Sequence, residues 1–275
     1  HFVRRRQRQM CIRDRATIVI KLGGAAMSNI ENLSSFARDI VLMKQCKVNP
    51  IIIHGGGPMI NNALNKWGID FNFIDGKRVT DKKAVKIVEM VLSGDLNKNI
   101  VSSINNQGGS GVGISGKDAS LVICEKDNPE LGYVGKPIHI NTKLITTLVE
   151  NDFIPVISPI GTNEEGETFN INADTMAGTI ASALKADRLL LLTDVSGVKD
   201  KSDNKIEKAS TEEIKKLIKE NVIKDGMIPK VNTAIDSIEK GVRAVVILDG
   251  SIQNACLLEL FTDHGVGTLI RKELN

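Results

Sequence analysis

The chain is poor in aromatic side chains. Its 275 residues include seven Phe, one Trp and one Tyr, too few rings for successive bases to stack on, which argues against single-stranded nucleic-acid binding. Cysteine is also scarce. Cys11, Cys46, Cys124 and Cys256 lie far apart with no C-x-x-C spacing, so neither a zinc site nor a disulfide framework is indicated. With no signal peptide at its start, the chain is expected in a reduced cytosol. No apolar run approaches the ~20 residues needed to span a bilayer, and no membrane partner is expected.

Excess positive charge is confined to one end. The formal net charge is +3, but residues 1–15 hold six Arg and one Asp; without them the balance becomes −2. The run Arg4-Arg5-Arg6-Gln7-Arg8 could serve as a nucleic-acid or targeting arm. The plainer reading is a solvated, disordered leader, foreign to the native gene, and no nucleic-acid partner is expected. With 41% hydrophobic residues, the remainder can bury a core as one large α/β domain or two modest lobes.

Ala16–Leu22 is a β-branched run ending in Gly23-Gly24, followed by apolar residues at helical spacing from Ser28 to Lys47. The pattern repeats in Pro50–His54, Gly55-Gly56-Gly57, then Pro58 opening a helix to Trp67, where its missing N–H costs nothing. Two βα units in succession imply a parallel sheet covered by helices. Asp75-Gly76 marks a hairpin, and Asp81–Asn106 reads as a helix broken near Ser93-Gly94. A second βα rhythm begins at Arg188–Leu192, with Gly265–Ile270 as a last edge strand. No linker separates the halves, so residues 16–186 and 187–275 are expected to be two lobes of one fold.

Glycine turns at the ends of adjacent parallel strands place bare backbone N–H groups together at a helix N-terminus, an anion cradle. Neither turn has G-x-x-x-x-G-K-[ST] or G-x-G-x-x-G spacing. Lys21, just before Gly23-Gly24, puts a cation where phosphate oxygens would lie. Arg78, after the hairpin turn, could hold a carboxylate with a two-pronged fork; otherwise it is a surface arginine. In Asn170-Ile-Asn-Ala-Asp174, Asn172 is explained as a helix N-cap, Asp174 could hold two lysines, and Asn170 could bind a substrate amide or carboxylate. Lys230 opens a helix, where the dipole disfavours a cation unless an anion is bound there.

Together Lys21–Gly24, His54–Pro58, Gly76–Thr80, Asn170–Asp174, Thr193–Gly197 and Gly226–Lys230 resemble, in order and spacing, the motifs of the acetylglutamate kinases, a branch of the amino acid kinase family. The resemblance runs from about Ala16 to Ile270 and implies a three-layer αβα sandwich with a mainly parallel central sheet. By motif position it implies acetylglutamate binding by Gly56, Gly57, Arg78 and Asn170. Lys21 and Lys230 would stabilise the transferring phosphoryl group, Asp174 would organise both lysines, and Gly23, Gly24 and Gly56 would bind phosphate. Asp194, Ser196, Gly197, Val198, Lys199, Gly226, Met227 and Lys230 would line the ATP site. The implied reaction is ATP-dependent phosphorylation of the N-acetyl-L-glutamate side chain, an early step of arginine biosynthesis, with Mg²⁺ arriving on the nucleotide and no dedicated metal site. A carboxylate nucleophile needs no general base, so His54 is expected to be structural.

The tail Leu257–Thr268 resembles that of arginine-inhibited members, which are hexamers. Asn254 stands where those usually carry His, and His264 where many carry an acid; a homodimer is the smaller expected assembly, a hexamer the larger. Rival readings are a kinase of glutamate, aspartate or carbamate, a dinucleotide-binding oxidoreductase, and a silent amino-acid sensor. The oxidoreductase reading is expected to fail for want of G-x-G-x-x-G spacing, and it leaves Lys21 and Lys230 unexplained.

Overall fold

The computed structural model describes residues 15–24, 27 and 29–274; the basic leader up to residue 14, with Cys11, lies outside them. Fourteen strands and nine α-helices are formed among the described residues. The central sheet has eight strands: β1 (Thr17–Leu22), β2 (Asn49–His54), β5 (Gly111–Ser115), β8 (Ile154–Ser158), β11 (Arg188–Thr193), β12 (Lys208–Ser210), β13 (Val245–Asp249) and β14 (Thr268–Arg271). Their order is β12-β14-β13-β11-β1-β2-β8-β5. Every pairing is parallel except β13 with β14. Strands buried on both faces read as continuous apolar runs, as Arg188–Thr193 does.

The helices are α1 (Ile30–Gln45), α2 (Gly57–Lys66), α3 (Lys82–Glu89), α4 (Asn97–Asn106), α5 (Lys143–Glu150), α6 (Ala173–Ala183), α7 (Thr211–Lys219), α8 (Met227–Glu239) and α9 (Ala255–Phe261). They cover both faces of the sheet. Side chains alternate along a strand, so Val19, Ile51, Ile53, Leu189 and Leu191 pack with Met176 and Ile180 of α6 and Val231 and Ile235 of α8. Ile18, Ile20, Leu22 and Ile52 face the other way, against Phe36 and Ile40 of α1 and Ile100 and Ile104 of α4. This is a three-layer sandwich, and the alternation fixes the side on which each strand-borne polar group emerges. Lys21 shares the face of Val19, toward α6 and α8; His54 shares the face of Ile52, toward α1 and α4.

A four-stranded sheet, β10-β9-β6-β7 (Thr168–Asn170, Ile160–Thr162, Val122–Lys126, Gly135–Ile140), and the hairpin β3–β4 (Phe73–Ile74, Lys77–Arg78) stand beside the carboxyl ends of the central strands. Three expectations need correction. Thr268–Arg271 is not an edge strand: it lies between β12 and β13, hydrogen-bonded on both sides, because Thr268, Leu269 and Ile270 are buried and β12 covers its far side. The helix over Asp81–Asn106 is not broken at Ser93-Gly94 but passes through a π-helical segment, Met90–Leu96. Finally, Gly111-Val-Gly113-Ile-Ser-Gly116 does carry G-x-G-x-x-G spacing, yet its first five residues form β5 rather than a strand-to-helix turn, so it cannot cradle a pyrophosphate.

Candidate active site

β1 and β2 are in register, Lys21 beside Ile53 and Leu22 beside His54, so both glycine turns leave the same sheet edge side by side. Gly56 caps α2, with Pro58 in its first turn. Gly23 is required by close packing: a Cβ there would lie 2.4 Å from the Leu192 carbonyl oxygen of β11. Gly24 and Gly57 are different, since a Cβ on either meets nothing within 4 Å among the described residues.

Asn172 caps α6, its Oδ1 accepting from the N–H groups of Asp174 and Thr175 at 2.9 and 3.1 Å. Asp174 is thereby held in the first turn beneath the sheet face where Lys21 emerges. Lys21 Nζ lies 3.0 Å from Asp174 Oδ1, and Lys230 Nζ, from the first turn of α8, donates to Oδ2 at 3.0 Å. Burial alone would raise the Asp174 pKa, but the two ammonium charges outweigh it and hold the carboxyl below its ordinary value. Asp174 is therefore ionised, with Oδ2 accepting from Lys230 and Oδ1 ion-paired with Lys21. Two cations and one anion leave a net positive charge beside the glycine turns.

Next to this cluster is a cavity of about 180 Å³ whose lining includes Gly56, Gly57, Arg78, Asn170 and Phe73. Arg78 is 7% exposed. Its guanidinium lies in the corner formed by the edge-to-face rings of Phe71 and Phe73, each centroid 4.7 Å away. Nη2 donates to Asn61 Oδ1 and to the Gly57 carbonyl, while Nη1 is buried with no hydrogen-bond partner among the described residues. A buried guanidinium N–H without an acceptor is costly, so a ligand carboxylate would complete it. Asn170 Nδ2 donates to Thr80 Oγ1 at 3.3 Å, and Thr80 Oγ1 donates to the Arg78 carbonyl, tying both residues together.

The expected nucleotide residues divide. Asp194, Ser196 and Gly197 follow β11, the strand beside β1, and leave the same edge. Gly226 and Met227 open α8, which carries Lys230. Val198 is core, its N–H donating to Thr268 Oγ1 at 2.8 Å, and Lys199 pairs with Asp203 in solvent. Sequence reasoning passed over Asn61, Phe71, Phe73 and Thr80. A signal existed for the rings, because two of only nine aromatic residues stand five and seven places before Arg78.

Residues 16–249 match the model of the amino acid kinase family. The chain is 57% identical over 260 residues to an acetylglutamate kinase of Ruegeria pomeroyi, covering 94% of this chain and 91% of that protein. It is 56% identical over 257 residues to one of Paracoccus denitrificans, covering 93% and 84%. Among solved structures, a Streptococcus mutans protein matches with a TM-score of 0.79 at 32% identity over 94% of this chain and 99% of that one. An N-acetylglutamate synthase from Neisseria gonorrhoeae matches with a TM-score of 0.86, covering 100% of this chain and 64% of that one; at 24% identity it speaks to the fold alone. By these matches the chain belongs to the amino acid kinase family and, within it, to the acetylglutamate kinases.

Proposed function

We propose that the protein transfers the γ-phosphoryl group of ATP to the side-chain carboxylate of N-acetyl-L-glutamate, the acyl-phosphate-forming step of arginine biosynthesis. The observation that carries this reading is the Asp174 carboxylate spanning Lys21 and Lys230 beside a cavity that ends on Arg78. Phosphoryl transfer asks an enzyme chiefly to align reactants and to neutralise charge spreading over the equatorial oxygens. Lys21 and Lys230 would meet that charge, and Asp174 would keep both extended. Asp174 does not act as a base, since the lysines occupy its oxygens and the acceptor carboxylate carries no proton to remove.

Arg78 Nη1 and Asn170 would bind the acetylglutamate, the former through a carboxylate. Backbone N–H groups of Gly23, Gly24, Gly56 and Gly57 would receive phosphate and substrate oxygens. The acceptor cavity is built from residues 55–173 and one lysine of the cluster comes from α8, which supports an amino-terminal substrate lobe and a carboxyl-terminal ATP lobe. Asp194, Ser196, Gly197, Val198, Lys199, Gly226 and Met227 would flank the nucleotide, Val198 through packing rather than its committed N–H. Mg²⁺ would enter bound to ATP oxygens, as hard cations do with phosphates.

No helix among the described residues is long and apolar enough to cross a membrane, and cytoplasmic placement belongs to the same proposal. So do a homodimer as the minimal assembly and inhibition by arginine, the latter supported by the Leu257–Thr268 motif. Asn254 occupies a left-handed backbone position at the start of α9, a conformation Asn tolerates well. Initial rates of ADP release on N-acetyl-L-glutamate and on free glutamate test the substrate. The free amino group adds a charge that the site must desolvate, so equal rates on both would defeat the proposal.

A further inference from the structure

His54 is wholly buried at the end of β2, directly before the glycine turn. Its ring turns toward α4, where Asn97, the first residue of that helix, is 1% exposed. Asn97 Nδ2 lies 2.9 Å from the Val156 carbonyl oxygen and 3.3 Å from His54 Nε2. A carbonyl oxygen only accepts, so the amide nitrogen must face it, and Asn97 Oδ1 receives Lys98 Nζ at 3.2 Å in agreement. His54 Nε2 therefore receives an N–H and is the bare nitrogen of the ring. The proton resides on Nδ1, which is 2.9 Å from the Gly55 carbonyl oxygen.

That carbonyl and the Gly56 N–H belong to one peptide unit. The unit is planar and trans, so the two bonds point in opposite directions. Pulling the Gly55 carbonyl toward the imidazole turns the Gly56 N–H away from the core. Gly55 N–H is itself committed to the Leu22 carbonyl at 2.9 Å, which ties the turn to β1. On its other side Gly56 is closed in by the π-helical segment: a Cβ there would lie 2.7 Å from a Leu92 methyl and 2.5 Å from a Leu96 methyl. The same segment delivers Asn97 to the ring.

We propose that His54 is a positioning residue for phosphoryl transfer: its Nδ1–H holds the Gly55 carbonyl and so aims the Gly56 N–H at the transferring group, while Asn97 fixes the required tautomer. The inference rests on the phosphotransferase reading above. Burial keeps the imidazole pKa down at about 4, so the neutral ring persists at physiological pH.

The test compares His54→Leu with His54→Asn, whose Nδ2 can stand where Nδ1 stood and keep the donor. His54→Leu is expected to lower kcat on MgATP and N-acetyl-L-glutamate by roughly ten- to a hundredfold, below the full loss of an oxyanion donor. Both KM values should stay within about threefold, since the affected contact strengthens in the transition state. His54→Asn should recover most of the loss. Activity of both variants falling only in proportion to folded protein, or a rise in KM at unchanged kcat, overturns the proposal. Should both variants fold poorly, imidazole ¹⁵N shifts of the unmodified protein decide: the Nδ1–H tautomer supports it and the Nε2–H tautomer overturns it. An inactive unmodified protein would instead sink the kinase reading and leave the tautomer result standing.

Discussion

Asp174 and Lys230 stand 56 residues apart in sequence and meet at 3.0 Å, while the second oxygen of the same carboxylate lies 3.0 Å from Lys21. One buried acid thus binds the amino-terminal half of the chain, through β1, to the carboxyl-terminal half, through α8. The arrangement fixes both cations before any substrate arrives, which is what electrostatic catalysis requires.

Removing either end of this bridge should separate catalysis from binding. Lys230→Ala is expected to lower kcat about a hundredfold or more while ATP affinity changes only a few-fold, because its contact grows with charge in the transition state. Steady-state rates and nucleotide titration measure the two effects. Asp174→Asn leaves two ammonium groups facing an amide, and urea unfolding should show a loss of about 3–5 kcal/mol, the usual cost of breaking a buried ion pair.

Arg78→Lys keeps the charge but loses the planar fork and the guanidinium contacts with the Phe71 and Phe73 rings. KM for N-acetyl-L-glutamate should rise about tenfold or more, as expected for losing a charged hydrogen bond of about 1.5–3 kcal/mol, with KM for ATP nearly unchanged. Equal increases for both substrates would place Arg78 outside the acceptor site.

The two glycines after Lys21 should behave differently. Gly23→Ala drives a methyl against the Leu192 carbonyl of a neighbouring strand, and about 1–3 kcal/mol of stability should be lost to overpacking. Gly24→Ala meets none of the described residues within 4 Å, so thermal unfolding should be unchanged while phosphoryl transfer falls. Unfolding midpoints and kcat of the pair settle the distinction.

Two buried groups should oppose each other in acid. Burial raises Asp39 from 3.8 to about 6 and lowers His54 from 6.5 to about 4. Between pH 4 and 6 the folded state holds the Asp39 proton that the unfolded chain releases, so this residue makes stability fall as pH rises. His54 does the reverse, since the unfolded chain takes up a proton that the folded state refuses. At 1.36 kcal/mol per unit, each effect is about 3 kcal/mol. Relative to the unmodified protein, Asp39→Asn should gain stability from pH 4 to 6 and His54→Asn should lose it, measured by urea unfolding across that range.

Much of this was legible in the sequence for a physical reason. Parallel strands are buried on both faces and read as apolar runs; Lys21 and Lys230 stood out because a cation at a strand end or helix start asks for an anion, and Asp174 because one carboxylate can hold two lysines. The neutral asparagines that hold these charged or buried groups were not legible. Asn61 holds Arg78 from 17 residues away and Asn97 holds His54 from 43, and nothing local marks either. The place of β14 was missed because pairing on both sides depends on β12, whose three residues carry no strand signal.

The most direct test of the account is to trap the product. The protein would be given MgATP, N-acetyl-L-glutamate and hydroxylamine, and the hydroxamate formed by attack on an acyl phosphate would be quantified against ADP. Equal amounts of ADP and N-acetylglutamyl hydroxamate, with little product from free glutamate, are the predicted result. ADP accumulating without hydroxamate, or equal yields from both amino acids, would contradict it.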